Sequence, residues 1–120
     1  MSNGNPTRIS IVGPCAAGKS TLARNLQARG YAAEDCGQEH SGVQTMWQRI
    51  ARPDVLIYLE VSLPAIHARL GVNWGQAYLD EMNRRLTDAR ANAQCYVDTN
   101  PLTPEQVCDR VAEFLISIGI

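Results

Sequence analysis

One short segment constrains this chain more than any other. Gly13-Pro14-Cys15-Ala16-Ala17-Gly18-Lys19-Ser20 is a full match to the spacing G-x-x-x-x-G-K-[ST]. It follows Arg8-Ile9-Ser10-Ile11-Val12, a β-branched run that suits a strand. It precedes Thr21-Leu22-Ala23-Arg24-Asn25-Leu26-Gln27, which suits a helix. In that strand–loop–helix setting the pattern has a mechanism. Glycines let the backbone curl so that successive N–H groups point at phosphate oxygens, and the helix start adds positive potential. The Lys19 ammonium would reach the β- and γ-phosphates, and the Ser20 hydroxyl would join a Mg²⁺ shell. Lys19 is the only lysine of the chain, the other ten basic residues being arginine. A drift of composition toward arginine does not explain why this position is lysine.

The rest of the composition narrows the field. With 120 residues the chain is long enough for one domain with a real core. The expected division is a flexible tail over residues 1–7 and a single nucleotide-binding domain over residues 8–120. A net charge of −1 offers no basic field for nucleic acid or an anionic membrane, and neither is expected as a partner. No apolar run approaches membrane-spanning length, and Met1-Ser2-Asn3-Gly4-Asn5-Pro6 lacks the apolar core of a signal peptide. Cys15, Cys36, Cys95 and Cys108 have neither C-x-x-C nor metal-ligand spacing, which suggests reduced thiols and a cytoplasmic location. Cys15 falls inside the loop, where a helix N-terminus could lower its pKa; the alternative is a small residue that simply fits.

Strand and helix signals alternate along the chain. Gly30 reads as the residue just past the first helix, and Tyr31–Asp35 as a short strand. Ser41 and Gln44 have capping-box spacing, which predicts a helix to Ile50, stopped by Pro53. Val55–Val61 is nearly all apolar, as in a parallel strand covered on both faces. Ser62 and Pro64 open a helix that Gly71 closes. Asn73 and Gln76 suggest the next cap, of a helix from Trp74 to Ala93 with Trp74, Tyr78, Leu79, Met82, Leu86, Ala89 and Ala93 on one stripe. Cys95–Asp98 is a short strand. Thr103-Pro104-Glu105-Gln106 is a capping box for a last helix burying Val107, Val111, Phe114 or Leu115, and Ile118. The expected fold is α/β: a three-layer sandwich around a parallel sheet of four strands.

Three stretches make the chain resemble the P-loop nucleotide and small-molecule kinases, the superfamily of adenylate, shikimate and gluconate kinases. They are Ile9–Leu26 with its loop, Asp54–Leu70 with its Leu-Glu-Val-Ser turn and Arg69, and Arg85–Leu115 with Tyr96-Val97-Asp98-Thr99. With Gln38-Glu39-His40-Ser41 and Met46-Trp47, the whole chain is more closely similar to a group of small bacterial P-loop proteins of unassigned function. The resemblance implies a P-loop NTPase fold in a minimal kinase-like version, with ATP and Mg²⁺ as ligands. It implies a base site near Arg69 and the Thr99-Asn100-Pro101 turn, and a lid role for Arg85. Residues 36–54 number only about twenty, whereas a βαβ unit needs about thirty. One strand and the usual acceptor-binding region of such kinases are therefore expected to be missing.

The candidate site follows. Gly13, Pro14, Cys15, Ala16, Ala17, Gly18, Lys19, Ser20 and Thr21 would hold the nucleotide phosphates, with Arg69 near the base. Ser20 and a carboxylate at a strand C-terminus would hold the metal, in the order Asp35, Glu39, Glu60. Asp35 could equally form the turn before Cys36-Gly37. Lys19, Arg85, Asp35 and Glu39 are the catalytic candidates. Gln38 or Glu39 could position water, and His40 could serve as a base. Arg69, Arg85 and Arg90, the last two flanking the apolar stripe, could stabilise charge, or could lie over core edges or pair with Asp80, Glu81 and Asp88. Trp47 and Trp74 could line a base or acceptor pocket but read first as packing residues, and His67 as a helix-face residue.

A kinase-like phosphotransferase acting on an unidentified small molecule is the first reading. Its acceptor site would form from residues 41–50 or across a homodimer. A nucleotide-binding switch with little turnover, or a non-catalytic P-loop module, are the alternatives. A GTPase is disfavoured, because the N-K-x-D signature needs a lysine outside the loop.

Overall fold

The computed structural model describes residues 7–120, so the expected tail lies, apart from Thr7, outside the described residues. Four strands, β1 (Arg8–Val12), β2 (Ala32–Asp35), β3 (Val55–Glu60) and β4 (Cys95–Asp98), form one parallel sheet in the order β2-β1-β3-β4. The register sets Ile9 against Val55 and Ile11 against both Ile57 and Asp35. From β1 the chain moves to β2 on one side and then crosses to β3 on the other. The direction of winding therefore changes at β1, and the crevice beyond the C-terminal ends of β1 and β3 is where α/β sheets collect ligands.

The helices are α1 (Lys19–Ala28), α2 (Leu63–Leu70), α3 (Gln76–Arg85), α4 (Thr87–Asn92) and α5 (Pro104–Ser117). Because strand side chains alternate, β3 buries both of its faces. Ile57 and Leu59 join Leu22, Leu26, Val111 and Leu115 in one cluster, while Leu56 and Tyr58 join Val12, Trp47, Leu86 and Ala89 in another. No helix among the described residues is long and apolar enough to cross a membrane.

Local signals place several element ends. Gly30 has φ 94° just past α1. The Ser62 hydroxyl accepts from Ala65 N at 3.4 Å, and Gly71 closes α2 at φ 66°. Thr103 and Gln106 exchange both capping-box hydrogen bonds, and α5 buries Leu115 while Ile118 beyond its end is 46% exposed.

Two expected helices differ. The Ser41–Gln44 spacing opens none: the Ser41 hydroxyl accepts from Val43 N at 3.0 Å in an extended residue. Gln44 does not reach back to Ser41; its Oε1 accepts from Asp88 N at 3.1 Å and its Nε2 donates to the Arg84 carbonyl. A 3₁₀ turn, Gln38–His40, and a π turn, Trp47–Ala51, occupy the segment instead. Arg52 at φ 45° ends it ahead of Pro53. The helix expected over Trp74–Ala93 is two helices broken at the fully buried Leu86. There the Thr87 hydroxyl donates to the Asn83 carbonyl at 3.2 Å, a back-bond that bends helices. Gly75, not Asn73, occupies the N-cap of α3, and Trp74 stacks on the half-exposed Tyr78 with ring centroids 4.3 Å apart.

Candidate functional site

The loop between β1 and α1 is shaped by two different demands. At Gly13, whose φ of 155° already favours glycine, the larger demand is space: a Cβ there would lie 2.3 Å from the Leu59 carbonyl oxygen, so glycine lets the loop pass over β3. At Ala16 (φ 65°) and Gly18 (φ 95°) it is left-handed backbone. The carbonyl of the left-handed Ala16 accepts from Arg69 Nη1 at 2.7 Å. The same guanidinium donates to Thr99 Oγ1 at 3.1 Å and to the Thr99 carbonyl at 2.8 Å. Arg69 thus ties the loop, α2 and the turn after β4 together. Arg69→Ala should cost about 1–2 kcal/mol and speed amide hydrogen exchange in residues 14–18. Unchanged exchange there would show that the tether does not hold the loop.

A cavity of about 340 Å³ opens beside the loop, lined by Ala17, Thr21, Leu22, Arg69, Thr99 and Val107 among others. Its lining is mostly apolar, with the Thr99 turn at one side. α1 begins at Lys19 with no side chain capping its first turn.

Lys19 is 5% exposed and is held at both ends of its reach. Nζ donates to the Pro14 carbonyl at 2.8 Å and pairs with Glu39 Oε2 at 3.0 Å. Glu39 is 4% exposed, and its Oε1 has no hydrogen-bond partner among the described residues. Asp35 forms the turn weighed for it and also meets Ser20. Its Oδ1 accepts from Gly37 N at 3.0 Å, forming the turn, and its Oδ2 accepts from the Ser20 hydroxyl at 3.4 Å. The structure therefore brings Lys19, Ser20, Asp35 and Glu39 to one end of the sheet.

Other candidates lie differently. The Gln38 side chain is fully buried and has its bonds elsewhere: Nε2 donates to the carbonyls of Val43 (2.8 Å) and Arg85 (3.1 Å), and Oε1 accepts from Trp47 N (2.8 Å). It staples residues 38–47 to α3 and is not free to orient water, a correction to the sequence reading. Trp47 is buried, with its indole N–H on Asp88 at 2.9 Å. Glu60 accepts from the Tyr96 hydroxyl at 2.7 Å and pairs with Arg90 at 3.2 Å. Arg90 in turn lies over the Tyr58 and Tyr96 rings. Burial and donation to Glu60 push the Tyr96 phenol up to about 12. His67 has its ring nitrogen on the Trp74 carbonyl.

Arg85 Nε pairs with Glu81 at 2.8 Å, alongside Arg84. Hydrogen bonds from Arg84 and then Arg85 hold the Glu81 carboxyl at about 2, against an ordinary 4.5. A carboxylate depressed in this way adds stability that is fully present above pH 4.5 and is lost as pH falls toward 2. Glu81 is exposed, so the contribution should be small, and acid unfolding of wild type and Glu81→Gln should coincide in about 1 M salt.

Burial pushes the pKa of the Cys15 thiol up, opposed in part by the Lys19 ammonium. Burial likewise pushes Cys36 up to about 11.

Compared with protein-family models and with curated proteins, the chain matches none. Sequence reasoning missed the lining contributed by Leu102, Pro104 and Val107, because those positions read only as turn and helix start. It also missed the partner of Lys19: twenty residues separate Lys19 from Glu39, and no local periodicity links them.

Proposed function

We infer that this protein binds a nucleoside triphosphate, ATP in the first instance, with Mg²⁺, and acts as a kinase-like phosphotransferase on a small molecule. One observation carries the reading: a buried lysine and an uncapped helix start meet at the crevice where the parallel sheet changes direction. The phosphates would lie on the N–H groups of the 13–20 loop, with Lys19 moving from the Pro14 carbonyl onto a phosphate oxygen. Ser20 and Asp35 are close enough to share one Mg²⁺ shell. Their donors, a hydroxyl and a carboxylate, suit a hard cation that keeps most of its waters. The metal would neutralise developing charge on the transferred phosphoryl group. The 340 Å³ cavity beside Arg69 and Thr99 would receive the base, with Thr99 and loop backbone as polar contacts. This is the arrangement that the resemblance to P-loop kinases implies.

A second reading, a nucleotide-dependent switch with little turnover, is favoured by the segment between β2 and β3. Gln38, Gln44 and Trp47 are committed to contacts with α3 and α4, and Arg85 is paired with Glu81. An acceptor would then need room elsewhere, for instance across a homodimer.

Thermal unfolding with ATP, GTP and ADP, each with and without Mg²⁺, tests the binding claim. Ligand at about 100 times its Kd should add about 2.7 kcal/mol, and the gain with ATP should require Mg²⁺. No gain with any nucleotide would sink both readings. ADP release that rises with an added small-molecule alcohol or acid separates the kinase from the switch.

A further inference from the structure

Beside Lys19, three groups of different chemistry converge. Cys15 Sγ, His40 Nε2 and a Glu39 carboxylate oxygen lie within 4.8 Å of one another. Cys15 Sγ is 3.9 Å from His40 Nε2, and that nitrogen is 3.5 Å from Glu39 Oε2. A tetrahedral ion with a sulfur ligand at about 2.3 Å and a nitrogen ligand at about 2.0 Å holds the two donor atoms about 3.5 Å apart. The side chains therefore already stand near the edge lengths of such a polyhedron. They come from two segments, the 13–20 loop and the 3₁₀ turn Gln38–His40, so no sequence spacing announces them.

A second observation is independent of that convergence. Glu39 is 4% exposed, its Oε2 is engaged by Lys19 at 3.0 Å, and its Oε1 has no partner among the described residues. A buried carboxylate oxygen left unpaired is costly, and a cation bound there would remove that cost. The donor set selects the cation. Thiolate and imidazole are poor ligands for Mg²⁺ or Ca²⁺, whereas a sulfur, nitrogen and oxygen set in tetrahedral array suits Zn²⁺.

We propose that Cys15, His40 and Glu39 form a Zn²⁺ site with its fourth position open. The Glu39 carboxylate serves two cations in this site, with one oxygen for Lys19 and the other for the metal. Binding breaks the Cys15 S–H bond, passes that proton to solvent and forms a zinc–sulfur bond; the neutral imidazole binds through Nε2, and no electrons are transferred. His40 is 63% exposed, which leaves the ion a path from solvent. The bound ion clips the 13–20 loop to the 38–40 turn across the Lys19–Glu39 pair.

The test uses the full chain, stripped with a chelator and free of nucleotide, so its outcome does not depend on the nucleotide reading. Zn²⁺ is titrated in competition with a chromophoric chelator. The expected result is one ion per chain with release of about one proton. Cys15→Ser and His40→Asn should each weaken binding by about 100-fold or more, since even outer-shell changes cost 10–100-fold. Cys36→Ser should leave it unchanged. With Co²⁺ in place of Zn²⁺, the wild type should show a thiolate-to-cobalt charge-transfer band that Cys15→Ser lacks. Neither Cys15 nor His40 is buried, so both variants should keep the wild-type circular dichroism. No binding by the wild type, or a cobalt–thiolate band that survives Cys15→Ser, overturns the proposal.

Discussion

Lys19→Met should lower the affinity for ATP·Mg²⁺ by roughly 100-fold and also destabilise the fold by about 3 kcal/mol. The two losses have different origins. The first would remove the proposed charge-assisted contact to phosphate, a contact worth more than a neutral hydrogen bond. The second follows from burial. Lys19 and Glu39 are 5% and 4% exposed, and Glu39 already has one oxygen without a partner among the described residues. Taking away the ammonium leaves a buried carboxylate uncompensated, the situation in which a buried ion pair matters most. For a chain of this length, about 3 kcal/mol is a fall in Tm of roughly 10 °C. The double variant Lys19→Met/Glu39→Gln should recover most of that fall, because it replaces the pair by neutral groups, and should still fail to bind nucleotide. Urea unfolding and calorimetric titration of the three proteins separate the effects. If Lys19→Met binds ATP·Mg²⁺ as the wild type does, the proposed function fails. If the double variant is no more stable than the single one, the pair is not what Lys19 contributes to the fold.

A second large effect is expected at the first glycine of the loop. Gly13→Ala would set a Cβ 2.3 Å from the Leu59 carbonyl oxygen. The obstacle is backbone of β3 in the middle of the sheet, so no side-chain rotation relieves it. Overpacking of a rigid site costs about 1–3 kcal/mol or more, and the upper end is expected here. Gly18→Ala is the control. A Cβ at Gly18 meets nothing within 4 Å among the described residues, so its expected cost is the left-handed backbone, about 1–2 kcal/mol. Equal midpoints for the two variants in urea would show that the approach to β3 does not limit position 13.

That contrast illustrates what the sequence pattern conceals. Both glycines belong to one motif, and both read as freedom for a loop to curl around phosphate. At Gly18 that reading accounts for the observed backbone. At Gly13 the nearer cause is a neighbouring strand, and no inspection of residues 13–20 could reveal it. Asp35 carries a similar lesson, since its two oxygens divide between a turn and the Ser20 hydroxyl. Of the sequence readings of that residue, the turn is the one its contacts show.

The sequence by itself determined the elements whose signals are local. β3 is legible because a parallel strand covered on both faces must be apolar throughout, and α2 and α5 because Ser62, Thr103, Pro64 and Pro104 satisfy the first turn from within it. The strand–loop–helix context of Lys19 is likewise local. Only the tertiary structure decided residues 38–51 and the break at Leu86. There, side chains that could cap their own segment bond to distant backbone instead: Gln38 to Arg85, Gln44 to Arg84 and Asp88. A local cap and a long-range hydrogen bond differ little in free energy, so burial of Trp47 and Leu86 with Leu56 and Tyr58 of β3 can select between them. The Lys19–Glu39 pair and the cluster of Cys15, Glu39 and His40 arise in the same way, from two loops that meet because the sheet sets their strands side by side.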